Sequence, residues 1–291
     1  TFGIRSYVFE SLRPTPELSF AVRHFHCFGG IMITASHNPR EYNGYKLYDE
    51  KGCQLVPALA QQVIDRVNAI EDELAITANP SEEQEALITM IGKDVDEEYY
   101  KNVLSIQLNP DVNKKAVKIV FSPEHGTANI PVKEIYTRLG YQFVAVEEQC
   151  TPDPDFSNTP TPNPEEKGAY ELALQYAKRE QADIILVCDP DADRMGVGVL
   201  HDGEYKVLTG NQSGSVLIEY ILSQLQAKGM MPPHPVMFNT VVTSDLGEKI
   251  AAKYGVETEK TLTGFKFIGE KVAKYEINNE KQYVFGYEES Y

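Results

Sequence analysis

Short apolar runs that stop abruptly in polar, turn-rich loops constrain this chain most. Ile31-Met32-Ile33 ends in Thr34-Ala-Ser-His-Asn-Pro39, Val117 to Phe121 in Ser122-Pro-Glu-His-Gly-Thr127, and Ile184 to Val187 in Cys188-Asp-Pro-Asp-Ala-Asp-Arg194. Helix-length segments of helical spacing lie between such runs. Strands alternating with helices predict an α/β chain with largely parallel sheets, and in such sheets ligands bind where strands end. The 291 residues are enough for two or three α/β units.

The N-terminal part predicts a strand from Ile4 to Phe9, a loop at Arg13-Pro-Thr-Pro16, and a helix to about His26, with Pro16 suited to its first turn. Ile31 to Ile33 reads as the end of a buried strand. Pro57 opens a helix with one apolar stripe, Leu59, Val63, Ile64, Val67 and Ile70. Ser81-Glu-Glu-Gln84 has the form of a capping box before Ala86, Leu87 and Ile88, and Asp96 reads as the cap of a helix through Leu104. Asn109-Pro-Asp111 is a break. Further on come a helix from Pro131 to Leu139 closed by Gly140, a strand from Phe143 to Val146, and an extended segment, 151–164, with five prolines. A helix from Pro164 to about Arg179 follows, then a hairpin at His201-Asp-Gly203 and a long helix from Leu208 to about Gln226. The last part predicts strands at Val236 to Phe238 and Tyr283 to Phe285, a helix from Ser244 to Tyr254, and a short helix after Thr261-Leu-Thr-Gly-Phe-Lys266. We expect three units, 1–110, 111–207 and 208–291.

Composition narrows the function. Lys and Arg number 27 against 43 Asp and Glu, a net charge of −16, which argues against nucleic acid as a partner. An anionic ligand would need a locally built site. Cys27, Cys53, Cys150 and Cys188 have no CxxC spacing and read as reduced thiols of a cytoplasmic protein. No apolar run approaches the roughly 18 residues of a membrane span, and no signal peptide is evident. Oligomeric state is not readable.

Two loops carry candidate chemistry. Ser36 is a hydroxyl next to His37, and the turn at Asn43-Gly44 can fold Lys46 back towards it. Taken alone, Ser36 and His37 fit an ordinary loop. Asp189, Asp191 and Asp193 alternate directly after a strand, where three carboxylates repel one another unless a cation such as Mg²⁺ or Ca²⁺ neutralises them. An EF-hand is excluded, because Arg194 stands where its glycine belongs and Leu200 where its glutamate belongs. A solvated acidic turn remains open. So does the Asp-nucleophile loop of haloacid-dehalogenase-type phosphatases, which the strand followed by Asp-x-Asp resembles.

Thr-Ala-Ser-His-Asn-Pro with Asn-Gly-Tyr-Lys resembles the active-serine loop of the α-D-phosphohexomutases, and Asp-Pro-Asp-Ala-Asp-Arg resembles their metal loop. Gly286-Tyr-Glu-Glu-Ser290 is similar to their sugar-recognition loop, and the three occur in the family's order. The resemblance implies a phosphoserine at Ser36, with His37, Lys46 and Arg194 around the phosphoryl group. It implies Mg²⁺ held by Asp189, Asp191, Asp193 and a phospho-Ser36 oxygen. It assigns sugar or substrate contacts to Thr263, Gly264, Lys266, Glu288 and Ser290. The implied reaction interconverts glucose 1-phosphate and glucose 6-phosphate through glucose 1,6-bisphosphate, with mannose or pentose phosphates as alternatives. The family's leading Arg segment and fourth domain have no counterpart here, so the resemblance implies a fragment, and a fragment that binds metal and sugar without turning over is a further alternative.

Overall fold

In a computed structural model, residues 3–76 and 79–290 are described. The first unit comprises β1 (Ser6–Phe9), α1 (Thr15–His24), β2 (Gly29–Ile33), β3 (Tyr45–Asp49), α2 (Pro57–Asn68), α3 (Glu82–Glu85), β4 (Ile88–Ile91) and α4 (Lys93–Ser105). β1 pairs with β4 in parallel, while β2 pairs with β3 in an antiparallel hairpin. This corrects the expectation of a buried strand at Ile31 to Ile33. Side chains alternate along β2. Gly30 faces α1, where an added Cβ would lie 2.7 Å from Val22. Ile31 and Ile33 point the other way and are 65% and 77% exposed.

One further expectation is corrected in this unit, the cap at Asp96, and two others are met in a more limited form. The Ser81 capping box forms, but α3 is a single turn, and the Ile88-Thr-Met-Ile91 run that follows pairs as β4. Asp96 does not cap α4, which begins at Lys93 after Gly92; its carboxylate instead accepts two bonds from Arg13, Nε at 2.6 Å and Nη2 at 2.9 Å. The apolar stripe of α2 exists as a helix face, yet none of its residues is buried.

The middle unit is a five-stranded mixed sheet in the order β6-β5-β7-β8-β9: β5 (Lys118–Ser122), β6 (Gln142–Ala145), β7 (Ile184–Cys188), β8 (Met195–His201) and β9 (Glu204–Val207). β6, β5 and β7 are parallel, while β8 and β9 close it as antiparallel strands. α5 (Asn129–Leu139), ended by left-handed Gly140, and α6 (Glu171–Glu180) accompany it. Val120, Ile185 and Val187 of the sheet are fully buried against Tyr170, Ala173 and Ala177. Each large apolar side chain so buried contributes about 1.5–3 kcal/mol. Residues 151–164 hold neither helix nor strand, as proline demands.

The last unit is a three-stranded parallel sheet, β11-β10-β12, with β10 (Pro235–Thr240), β11 (Glu257–Thr261) and β12 (Gln282–Gly286). α7 (Gly210–Ala227) opens with a Thr209–Gln212 capping box, and α8 (Leu246–Lys253) and α9 (Phe265–Asn278) complete the unit. β10 is buried on both faces, Met237 against α7 and α8, Val236 and Phe238 against α9. α9 spans 14 residues rather than the short helix expected. The architecture is thus α/β with mixed sheets, and none of the described helices is long and apolar enough to cross a membrane.

Candidate active site

The parallel strands β5 and β7 end side by side, which sets the loop 122–127 against the loop 188–194. Thr127 donates to the Pro190 carbonyl from its backbone N–H at 2.8 Å and its hydroxyl at 3.0 Å. The approach leaves no room for a side chain at Gly126, since a Cβ there would sit 2.4 Å from Pro190 backbone atoms. Pinned at Pro190, the second loop turns Asp189 and Asp191 inward, 0% and 4% exposed.

Asp189, Asp191 and Asp193 each offer one carboxylate oxygen, and those three atoms lie within 4.8 Å of one another. Burial, then the charges of Asp191 and Asp193, raises Asp189 well above the usual carboxylate range. Burial acts most strongly on Asp191 and upward, but Lys46 and the hydrogen bonds with Asp189 and Thr15 together outweigh it, and the net shift is downward. The Lys46 ammonium donates to Asp191 Oδ2 at 2.7 Å and to Asp193 Oδ2 at 2.6 Å. It is held charged, since these carboxylates outweigh its desolvation. The turn at Asn43-Gly44 and the β2–β3 register deliver Lys46 there, opposite Met32.

Ser36 belongs to the same cluster. Its hydroxyl donates to Asp189 Oδ2 at 2.7 Å, with His37 Nδ1 at 3.4 Å. Ser36 has φ 55°, a left-handed conformation that non-glycine residues rarely adopt. The Thr34 hydroxyl holds it there by accepting the Ser36 N–H at 2.8 Å. Burial and then the charge of Arg194 lower His37 below the usual imidazole value. The Arg194 N–H donates to Asp189 Oδ1 at 3.0 Å, and its guanidinium lies 3.9 Å from Asp189 and 3.8 Å from Asp193. At that range, with about a third of its side chain exposed, it is available to an incoming anion.

The second group of expected residues gathers at the C-terminal ends of the three-stranded sheet. Glu288 follows β12 and accepts the N–H of Gly264, which has φ 119°. Burial raises the Glu288 carboxyl, while the Gly264 N–H and the charge of Arg194 partly offset that. Glu289, which sequence reasoning left without a role, accepts the hydroxyls of Thr240 at 2.9 Å and Thr243 at 2.6 Å. It ties the loop to the end of β10. Thr263 is exposed, Ser290 is half-buried, and the Lys266 ammonium stands 5.6 Å from the Phe267 ring centre. Tyr291 lies outside the described residues. No hydrogen bond joins this group to the aspartates among the described residues.

The donor set fits a hard divalent cation. It is all oxygen, it carries mutually repelling charge, and Asp191 Oδ1 is buried with no partner among the described residues. His125 of the 122–127 loop donates its Nδ1–H to the Thr151 carbonyl at 2.8 Å and holds that loop to the proline-rich segment.

Models of the phosphoglucomutase/phosphomannomutase α/β/α domains I, II and III match residues 1–74, 97–202 and 209–291. The chain belongs to the phosphoglucomutase/phosphomannomutase family. It is 37% identical over 292 residues to a phosphoglucomutase of Staphylococcus epidermidis, covering 99% of this chain and 52% of that protein. It is 36% identical over 275 residues to a phosphomannomutase of Mycoplasmoides pirum, covering 94% and 49%. The chain thus spans about half the length of these curated phosphohexomutase relatives. Among solved structures it resembles a phosphomannomutase from Thermus thermophilus, described as putative, at TM-score 0.75 and 24% identity, covering 98% of this chain and 58% of that one. It also resembles an Aspergillus fumigatus N-acetylphosphoglucosamine mutase in complex with GlcNAc-6P and magnesium, at TM-score 0.62 and 16% identity, covering 94% and 62%. These likenesses establish the fold.

Proposed function

We propose that this chain carries the phosphoryl-transfer machinery of a phosphohexomutase that interconverts glucose 1-phosphate and glucose 6-phosphate. The observation that carries the reading is the 2.7 Å bond from the Ser36 hydroxyl to Asp189, inside a cluster of three carboxylates. Phospho-Ser36 gives its phosphoryl group to the free hydroxyl of the sugar phosphate, exchanging one P–O bond for another. The resulting glucose 1,6-bisphosphate turns over and returns its other phosphoryl group to Ser36.

Asp189, Asp191 and Asp193 would hold Mg²⁺, which when bound neutralises charge spread over the phosphoryl oxygens. Lys46 and Arg194 bring positive charge to a protein of net charge −16. His37 flanks the carrier hydroxyl. Glu288 accepts sugar hydroxyls and, with Gly264, Thr263, Lys266 and Ser290, orients the ring so that the attacking oxygen lies in line. The relatives of mixed names, phosphoglucomutase and phosphomannomutase, support a phosphosugar substrate; glucose is our choice, on the Gly-Tyr-Glu-Glu-Ser loop.

An Asp189-nucleophile phosphatase is disfavoured by the burial of that side chain, which is 0% exposed. An in-line nucleophile needs an open approach. Ser36→Ala tests the choice. It should abolish phosphoryl exchange between enzyme and sugar bisphosphate while the far-ultraviolet circular dichroism stays that of the wild type. Exchange at the wild-type rate would transfer the role to Asp189.

A further inference from the structure

The Arg13-Pro-Thr-Pro16 segment reads in the sequence as a plain loop before a helix, and the mechanism above does not use it. In the fold it touches the aspartate loop. Thr15 is 4% exposed. Its backbone N–H donates to the Asp191 carbonyl at 2.9 Å, and its hydroxyl donates to Asp191 Oδ2 at 3.1 Å. The Thr34 hydroxyl and the Lys46 ammonium reach the same oxygen, at 3.1 and 2.7 Å. Three donors therefore converge on Oδ2. The other oxygen, Oδ1, is buried and has no partner among the described residues.

A carboxylate held at one oxygen by three donors from different segments cannot rotate freely about its χ2. One oxygen is saturated, and the other is left without a donor among the described residues. A buried bare carboxylate oxygen is costly unless a cation takes it. Thr15 is itself anchored from behind, since Arg13 is locked to Asp96 of α4 by two hydrogen bonds, and α1 starts at Thr15. The hydroxyl is a fixed point, supplied 176 residues away in the chain.

We propose that Thr15 is a positioning residue of the cation site: its hydroxyl holds Asp191 by Oδ2 so that Oδ1 is presented to a divalent cation. The proposal rests on the reading of Asp189, Asp191 and Asp193 as the cation ligands. Thr34 shares the task, but its hydroxyl also accepts from the Ser36 N–H, so only Thr15 isolates the effect. Val at position 15 has nearly the shape of Thr and keeps the backbone bond to the Asp191 carbonyl, so the loop should stay docked while the hydroxyl is lost. Partners of this kind typically shift metal affinity about 10–100-fold.

The test is Mn²⁺ binding by the 291-residue chain, read by electron paramagnetic resonance of free Mn²⁺, for the wild type, Thr15→Val, Thr15→Ser and Asp191→Asn. We expect Asp191→Asn to lose Mn²⁺ binding, Thr15→Val to bind about tenfold or more weakly, and Thr15→Ser to regain affinity close to that of the wild type. Melting temperatures without metal should be similar for wild type and Thr15→Val, with only the Mn²⁺-induced rise reduced in the variant. If Thr15→Val loses the fold by circular dichroism, Thr15→Ala carries the same comparison. Wild-type affinity in the folded Thr15 variant, with binding lost in Asp191→Asn, overturns the role of Thr15 alone. Wild-type affinity in Asp191→Asn overturns the cation site and this proposal with it.

Discussion

The hydroxyl of Ser36 donates to the carboxylate of Asp189 at 2.7 Å, across 153 residues of chain. The bond joins the tip of an exposed β-hairpin to the end of a buried parallel strand. The site is therefore only as well formed as the docking of one unit on the other. That docking is polar. Thr15, Thr34, Ser36 and Lys46 of the first unit all bond to the aspartate loop of the second.

Lys46 should be the most costly of these contacts to remove. With its side chain 18% exposed and bonded to Asp191 and Asp193, it offsets the repulsion among the carboxylates. Lys46→Met should lower stability by about 3 kcal/mol in metal-free buffer. Added Mg²⁺ should restore more stability to the variant than to the wild type, because the cation then supplies the missing charge. Urea unfolding with and without Mg²⁺ checks this, and equal Mg²⁺ effects on the two proteins would contradict it.

Gly126 tests the support behind the aspartate loop. A methyl at this position meets Pro190 backbone at 2.4 Å, and backbone cannot rotate away as a side chain can. Gly126→Ala should cost about 1–3 kcal/mol and weaken Mn²⁺ binding as Asp189 and Asp191 shift. A variant with unchanged Mn²⁺ affinity would show that the loop is positioned independently of residues 122–127.

These contacts mark what was legible in the sequence. The chemistry-bearing loops were, because small and polar residues after an apolar run announce a strand end. Lys46 was placed by its Asn-Gly turn. Thr15 was not, because a hydroxyl bonded to a residue 176 positions away leaves no local pattern. β11 was missed for a different reason. Glu257-Thr-Glu-Lys-Thr261 is an edge strand, and edges carry charge where interior strands carry Val and Ile. Ile31 and Ile33 misled in the opposite sense, since apolar residues on a two-stranded hairpin need not be covered. Asp96 looked like a cap because Asp favours that position; its partner, Arg13, lies 83 residues away.

The same Arg13–Asp96 pair has a buried neighbour, Glu17, 0% exposed. Burial, then the carboxylate of Asp96, pushes the Glu17 carboxyl up to about 8 from an ordinary 4.5. Between those values the folded chain keeps the proton and the unfolded chain releases it. The stabilising effect of this proton is thus complete below pH 4.5 and is lost as pH rises towards 8. Glu17→Gln, which cannot ionise, removes the dependence. The urea midpoint of the wild type should fall relative to the variant between pH 5 and pH 8, approximate bounds of that window. A constant difference across this range would show that Glu17 is ionised throughout.

The central claim is that Ser36 is the phosphoryl carrier. The measurement that bears on it most directly is peptide mass spectrometry of the chain after incubation with Mg²⁺ and glucose 1,6-bisphosphate, with and without hydroxylamine. The account predicts one phosphoryl group on the peptide that contains Ser36, resistant to hydroxylamine as a serine ester is and absent from Ser36→Ala. A hydroxylamine-labile phosphoryl group on Asp189, or a protein that stays unmodified, would contradict it.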